Sequence, residues 1–217
     1  MTGPRVPQSY QALIGSPRVS TGTRQVLRAR AAADDPAYCP VSMTPSQFGV
    51  LRAVTRRILP QPEEGSIDLA ARLDAQLAHG DGDGWRLAIL PDDCTSYAHG
   101  LSVLDDRARS GHGHGFADLA NDLQDEILAR AAAGELPGEA PALFDGAQMQ
   151  GWFADLCADA VKLYVAHPAT LARLGYSGIA YGGDGPGKPG FSLVGLGERE
   201  TWEPISQPAP QPAPNSP

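Results

Sequence analysis

The sequence lacks any long run of apolar residues. No stretch of its 217 residues approaches the roughly 20 consecutive apolar residues that a membrane-spanning helix needs. The opening segment, MTGPRVPQSYQALIGSPRVS, contains neither the apolar core of a signal peptide nor a twin-arginine pair. The sequence therefore predicts no direct membrane insertion and no export signal of its own. We expect a cytoplasmic protein, or a periplasmic or membrane-associated one if a partner carries the export signal.

Cysteine and positive charge are also scarce. The three cysteines, Cys39, Cys94 and Cys157, are too widely spaced for a disulfide framework or a zinc site, and they predict reduced, mostly buried thiols. The 17 basic residues are outnumbered by 25 acidic ones, which gives a formal net charge of -8. Because an acidic chain is repelled by polyphosphate, the composition argues against a nucleic-acid partner.

Helical periodicity is what the sequence does contain. The clearest start is TPSQFGVLRAVTRRILP, where Thr44 can cap a helix, Pro45 fits its first position, and Gln47 can complete a capping box. No segment between Thr44 and Gly175 alternates apolar and polar residues as a half-buried strand would. The sequence predicts an all-α fold, an irregular compact helical bundle with a long Gly/Pro/aromatic-rich C-terminal arm.

The other predicted helices follow from the same periodicity and from their end signals. One capping box is expected at Asn121 and Gln124, where a helix should begin. The remaining helices are expected to start near Thr23, Ser66 and Asp92, and over DGAQMQGWFADLCADAVKLYVAHP. The predicted domains are 1–40, a loose N-terminal extension with a short helix; 41–174, the helical domain; 175–206, a partner-binding arm; and 207–217, a disordered Pro-rich tail.

The stretch YGGDGPGKPGF, residues 181–191, matches two nucleotide-binding templates in part. Both templates need a strand before the glycines and a helix after them, since the helix N-terminus supplies the N–H groups that bind phosphate. Here the preceding segment is helical, and the following one is rich in glycine and proline. Pro189 also stands where a phosphate loop needs Ser or Thr. We therefore reject both templates.

The arm is too rich in aromatic and aliphatic residues for a polar linker, and too long for an ordinary loop. Such a segment either folds back over its own core or lies on another protein, and its residues leave these two outcomes open. Aromatic side chains are common anchors of interfaces. The candidate partner-binding residues are Tyr176, Tyr181, Phe191, Leu193 and Trp202.

No catalytic constellation is apparent in the sequence. The segment GYSGI around Ser177 misses the nucleophile elbow, because Ile179 stands where glycine is required. His112 and His114 have no nearby set of carboxylates or thiolates that would complete a metal site. We predict no catalytic, cofactor-binding or metal-binding residue, which favours a binding or accessory role. A helical scaffold with an unrelated partner and a stand-alone small enzyme remain alternatives.

Three segments resemble the gluconate 2-dehydrogenase subunit 3 family. The first is MTPSQFGVLRAVTRRILPQPEEGSIDLAARLDAQLA, an opening helix ending at ILP and then a second helix. The next is GFADLANDLQDEILARAAAGEL, and the last is YVAHPATLARLGYSGIAYGG, followed by WEP. Together these segments cover roughly residues 42–204, and their order and spacing carry the resemblance more than any single motif.

The resemblance implies a helical, non-catalytic small subunit that binds a large flavoprotein dehydrogenase subunit of the glucose–methanol–choline (GMC) type. FAD and the catalytic histidine would lie in that partner, and a cytochrome subunit accepts the electrons in several such complexes. The small subunit would assist folding of a partner that oxidises a sugar, sugar acid or polyol. Small subunits of this family often carry a twin-arginine signal, which this sequence lacks.

Overall fold

The computed structural model describes residues 3–62, 64–80, 87–138 and 144–204. The regular structure within these ranges is helical and includes no strand, which confirms the all-α prediction. The predicted tail, 207–217, lies outside the described residues. The helices are α1 (Gln8–Gly15), α2 (Thr21–Arg30), α3 (Pro45–Ile58), α4 (Leu69–His79), α5 (Asp93–His112), α6 (Asn121–Ala132), α7 (Gly146–Ala166) and α8 (Pro168–Arg173), with a 3-10 turn at Phe116–Asp118 between α5 and α6.

The chain divides into two units. We name Asp34–Leu163 the central unit, and Met1–Ala33 together with Tyr164–Pro217 the terminal unit, each as far as the structure describes it. The terminal unit thus joins residues from both ends of the sequence. The domain boundaries expected from the sequence stay a prediction.

Helix α3 begins as its sequence predicts. The Thr44 hydroxyl accepts a hydrogen bond from the Gln47 amide at 3.3 Å, and the Thr44 amide donates to Gln47 Oε1 at 3.0 Å. These two bonds complete the capping box, and Pro45 occupies the first helical position. Gln47 Nε2 also donates to the Ala98 carbonyl of α5 at 3.2 Å. The N-terminal cap of α3 is therefore also a link to α5.

The core of the central unit includes Trp152 of α7, whose side chain is fully buried. A Cβ added to Gly100 of α5 would overlap the Trp152 indole, so this glycine allows the helix backbone to approach the ring. Tyr97 of α5 meets the indole edge to face, with ring centroids 6.0 Å apart, and its hydroxyl donates to Asp159 at 2.9 Å. Other buried members of this core are Phe48, Leu51, Leu73, Leu101, Leu104, Phe116, Phe144 and Leu156.

A buried carboxylate, Asp74 of α4, holds the segment that precedes α3. It accepts hydrogen bonds from the Tyr38 hydroxyl at 2.6 Å and the Val41 amide at 2.7 Å, and from the Ser42 amide and hydroxyl at 3.0 and 2.7 Å. Burial by itself would raise the pKa of Asp74, but these hydrogen bonds outweigh burial and lower that pKa below its usual value. The carboxylate is therefore ionised at neutral pH, and the hydrogen bonds that it accepts stabilise its buried negative charge.

The terminal unit has a second, smaller core, to which α1, α2 and α8 contribute. His167 caps α8, since its Nδ1 accepts from the Ala169 amide at 3.1 Å and Pro168 occupies the first helical position. The His-Pro pair therefore starts a helix as well as ending α7. The buried apolar residues of this core are Val6, Tyr10, Leu13, Ile14, Val19, Leu27, Ala169 and Ala180.

The structure differs from the expected loose N-terminal extension at α1. Tyr10, Leu13 and Ile14 of this helix are buried, although the sequence around them is interrupted by proline. Pro7 directly precedes the helix and Pro17 follows it, so neither removes a hydrogen bond from its interior. The prolines therefore bound a short helix instead of preventing one.

The predicted capping box of α6 is wrong. The N-cap is Ala120, which has no side-chain hydrogen bond to the helix. Gln124 is buried and its Nε2 donates to the Phe116 carbonyl at 2.9 Å, in the 3-10 turn before the helix. The side chain that could have completed the box thus serves a tertiary contact. Helix α5 begins at Asp93, next to the predicted start at Asp92, and continues to His112.

The cysteines are less buried than predicted. Cys39 and Cys94 are exposed and Cys157 is half-buried. Cys39 lies in the irregular segment before α3, and Cys94 lies in the first turn of α5. Neither position belongs to the apolar stripe of a helix, so the packing preference of a free thiol does not decide its burial.

Candidate partner-binding surface

The predicted arm begins where α8 ends. Gly175 closes α8 with a φ of 66°, and from there to Pro204 the described backbone forms turns and bends without a helix or strand. No helix follows the glycines of residues 182–190, so the arrangement that binds phosphate in the two nucleotide templates is missing from this described segment. The conformation of the arm therefore depends on tertiary contacts.

The start of the arm is attached to α1. The Tyr10 hydroxyl donates to the Tyr176 carbonyl at 2.7 Å. Tyr10 is almost completely buried, and burial, with a smaller contribution from Tyr176, raises its pKa above the usual tyrosine value. The hydroxyl therefore keeps its proton at neutral pH and remains a donor to the arm backbone.

The middle of the arm is attached to the connection between α1 and α2. The amides of Gly182 and Gly183 both donate to the Arg18 carbonyl, at 2.9 and 2.6 Å. Gly183 has a φ of 70°, and a Cβ at this position would overlap the Pro17 carbonyl oxygen. This close approach and this left-handed backbone both require glycine. The tandem glycines thus serve a turn packed against the N-terminal segment.

Asp184 continues this attachment at the start of α2. Its carboxylate accepts from the Thr21 amide at 3.0 and 3.1 Å and from the Thr21 hydroxyl at 2.7 Å. Thr21 is the first residue of α2, where the helix itself provides no acceptor for the amide. The bonds from Thr21 lower the pKa of Asp184 below its usual value, so the carboxylate is charged at neutral pH.

Two of the candidate residues fold back onto the terminal unit. The rings of Phe191 and Trp202 lie 5.2 Å apart, and the Arg18 guanidinium lies 4.2 Å from the centre of the Trp202 ring. Trp202 also packs against the core of its unit. Both aromatic side chains are half-buried. The structure therefore places Phe191 and Trp202 where they can hold the arm itself.

The other three candidates point to solvent. The exposed fractions of Tyr176, Tyr181 and Leu193 are 51%, 59% and 42%. Val194 at 87% and Leu196, which is fully exposed, extend this apolar surface although neither was among the five candidates. Their signal in the sequence was that each is followed by an exposed glycine, Gly195 or Gly197, which brings no side chain to cover it.

Residues 192–198 form a shaped loop, which we name the aliphatic tip. Glu200 Oε1 accepts from the amides of Ser192 and Leu193, and Glu198 Oε2 accepts from the Gly195 amide at 2.9 Å. The Glu203 carboxylate accepts from the Ser177 hydroxyl through one oxygen and from the Glu200 backbone amide through the other. These bonds lower the pKa of Glu203 below its usual value. Side-chain carboxylates thus hold the tip while its aliphatic groups stay in water.

One helix of the central unit also presents small apolar side chains to solvent. Ala154, Ala158 and Val161 of α7 are exposed at spacings of four and three residues, which places them on one face. This face is another place where the described part of the chain leaves apolar surface uncovered.

Within the part of the chain that the structure describes, no three or more His, Cys, Asp and Glu side chains come together to hold a metal ion. None of the helices in the described ranges combines the length and apolar character that a membrane span requires.

Comparison with known proteins identifies the family. The model of the family described as gluconate 2-dehydrogenase subunit 3 matches residues 45–183. No curated protein and no solved structure matches the chain. The match covers more than half of the sequence, from the first residue of α3 to the tandem glycines of the arm. The chain therefore belongs to the gluconate 2-dehydrogenase subunit 3 family.

Proposed function

We propose that this chain is a non-catalytic small subunit of a dehydrogenase complex, in which it binds and stabilises a large FAD-dependent subunit of the GMC type. The observation that carries this proposal is the family match over residues 45–183. The large subunit would oxidise a sugar, a sugar acid or a polyol. FAD would be bound by that partner, and this chain would hold no cofactor of its own.

The exposed apolar side chains of the arm support a docking role. Tyr176, Tyr181 and the aliphatic tip are in water in the isolated chain. Aromatic side chains bury about 150–250 Å² each and often dominate interface energies. Shielding these side chains on a partner would remove their apolar area from water, which is favourable in proportion to that area. Phe191 and Trp202, which fold back, would act by shaping the surface.

Two further features of the complex belong to the same proposal. A cytochrome subunit would be a third component that accepts electrons from the large subunit. The complex would stay in the cytoplasm unless the large subunit carries an export signal. This chain would contact neither nucleic acid nor the lipid bilayer directly.

Purification of the tagged, full-length chain from its own host tests the proposal. Gentle affinity purification, followed by mass spectrometry and an absorbance scan, is expected to yield a stoichiometric large partner with flavin absorbance. Turnover of sugars or polyols should require that partner. A colourless protein that purifies alone would contradict the proposal. A stoichiometric partner without flavin would instead favour a helical scaffold for an unrelated protein.

A further inference from the structure

The N-terminal segment, residues 3–33, contacts the arm at three places that are far apart along the arm. Tyr10 holds its start at Tyr176, the backbone of Arg18 holds its middle at Gly182 and Gly183, and the Arg18 side chain lies against Trp202 near its end. A single residue, Arg18, therefore fixes two points about twenty residues apart through different groups.

The arm has few means of ordering itself. Between Gly175 and Pro204 the described backbone has no helix or strand, and an irregular segment loses conformational entropy at every residue that becomes fixed. Its own contacts, such as Ser177 with Glu203, join its start to its end. They do not attach the arm to a core, whereas Tyr10, Val19 and Leu27 of the N-terminal segment supply buried apolar groups around it.

We propose that the N-terminal segment is a built-in clamp that sets the conformation of the arm before any partner binds. Gly182 and Gly183 allow the arm backbone to lie close to Pro17 and Arg18. The carboxylate of the next residue, Asp184, accepts a hydrogen bond from the Thr21 amide in the first turn of α2. The matched family region begins at residue 45, so the clamp lies outside it. Its purpose in partner binding rests on the proposed function, but the clamp itself is a property of the isolated chain.

Preorganisation explains why such a clamp would matter for docking. A segment that is ordered before association does not lose its conformational freedom during association, and its affinity is correspondingly higher. The aliphatic tip can remain exposed without partner contacts because the backbone that carries it is already fixed at both ends. The clamp thus converts an otherwise irregular arm into a defined surface.

Hydrogen exchange of the isolated, full-length chain tests the clamp without a partner. Gly183→Ala introduces a Cβ that overlaps the Pro17 carbonyl, whereas Gly187→Ala, in the same arm, meets no atom within 4 Å. We expect amide exchange over residues 176–202 to rise roughly tenfold in Gly183→Ala and to stay unchanged in Gly187→Ala. Exchange in the central unit should not change in either variant. Equal arm exchange in the two variants would overturn the clamp.

A second variant tests the clamp if Gly183→Ala fails to fold. Asp184→Ala adds no bulk but removes the acceptor of the Thr21 amide, and we expect severalfold faster exchange at both Tyr176 and Trp202. Unchanged exchange at both ends of the arm would overturn the clamp. Faster exchange with undiminished partner co-purification would support the clamp and contradict the docking role of the arm, so the two proposals fail separately.

Discussion

Gly100 occupies a position in α5 at which helix propensity and packing oppose each other. Alanine is the better helix former by about 1 kcal/mol, but its Cβ would overlap the indole of the fully buried Trp152. Overpacking in a close-packed core costs about 1–3 kcal/mol. We therefore expect Gly100→Ala to lower the free energy of unfolding, as measured by chemical denaturation of the full-length chain.

Gly49 of α3 provides the matched control for this substitution. An added Cβ meets nothing within 4 Å at Gly49, so only the helix propensity changes. Gly49→Ala should raise the free energy of unfolding by about 0.5–1 kcal/mol. A stabilising effect of Gly100→Ala as large as that of Gly49→Ala would refute the packing argument.

Asp74 should make the free energy of unfolding of the central unit depend on pH in the acidic range. Its pKa in the folded chain is lowered, because the donors from Tyr38, Val41 and Ser42 outweigh the effect of burial. A carboxylate with a lowered folded-state pKa stabilises the fold above its unfolded-state pKa, near pH 4, and loses this contribution as the pH falls through the folded-state value. The free energy of unfolding should therefore decrease on acidification below about pH 4.

The variant Asp74→Asn isolates this contribution. It places an amide among donors that require an acceptor, and it should cost about 2–4 kcal/mol at neutral pH. Its acid dependence should also be shallower, as followed by denaturation at a series of pH values. Asp106→Asn, at an exposed position of α5, should leave both properties unchanged. An Asp74→Asn profile that parallels the wild-type profile would exclude this role.

At the scale of single elements, the N-terminal cap of α3 should contribute measurably to the stability of the chain. Thr44→Ala removes the hydroxyl that accepts from Gln47, and the loss of such a cap costs about 1 kcal/mol. For a chain of this size we expect the midpoint of thermal unfolding to fall by about 2–4 °C. Ser46→Ala, two residues along at an exposed position, is the control. If both variants melt alike, the cap does not contribute as argued.

The elements also show where local patterns stop being informative. Thr44 and Gln47 lie close in sequence, so their capping box depends on little beyond the chain between them. Asn121 and Gln124 have the same spacing, yet Gln124 turns to the Phe116 carbonyl instead. Gln124 is buried, and a buried side-chain amide needs an acceptor. Packing of the side chain therefore decided between two local alternatives that the sequence made equally reasonable.

At the scale of the whole molecule, the proposed docking role of the arm can be tested with variants that spare the fold. Tyr181 and Leu193 are exposed in the terminal unit, so replacing both with serine should change the free energy of unfolding little. If the arm docks on the large subunit, the double variant should bind that subunit at least about tenfold more weakly, since interface anchors typically contribute more than 1 kcal/mol each. Quantitative co-purification or titration with the large subunit measures the effect.

Val41→Ser is the control for that experiment. Val41 is an exposed aliphatic residue of the central unit, with an exposed fraction of 73%, and it lies outside the arm. Its substitution changes the same kind of surface at a different place. If Val41→Ser and the double variant weaken binding to the large subunit equally, the arm does not contribute specifically to that binding.

The sequence by itself determined the helical class of the fold, the start of α3 and the family, because each is carried by neighbouring residues or by the order of segments along the chain. It also marked the arm as unusual through its aromatic content. The five candidate residues could not be sorted from the sequence, since Tyr181 and Trp202 are both aromatic residues in an irregular segment. Trp202 is the less exposed of the two because it packs against Arg18, Phe191 and the core of the terminal unit, and Arg18 is distant from it in sequence.

Only the tertiary structure decided that the N-terminal segment and the arm belong to one unit. Tyr10 and Tyr176, or Thr21 and Asp184, are separated by more than 160 residues, and no local pattern relates them. Hydrogen bonds and burial act through space, whereas periodicity and capping act along the chain. For that reason the sequence specified helices, and the three-dimensional packing specified which apolar side chains remain exposed.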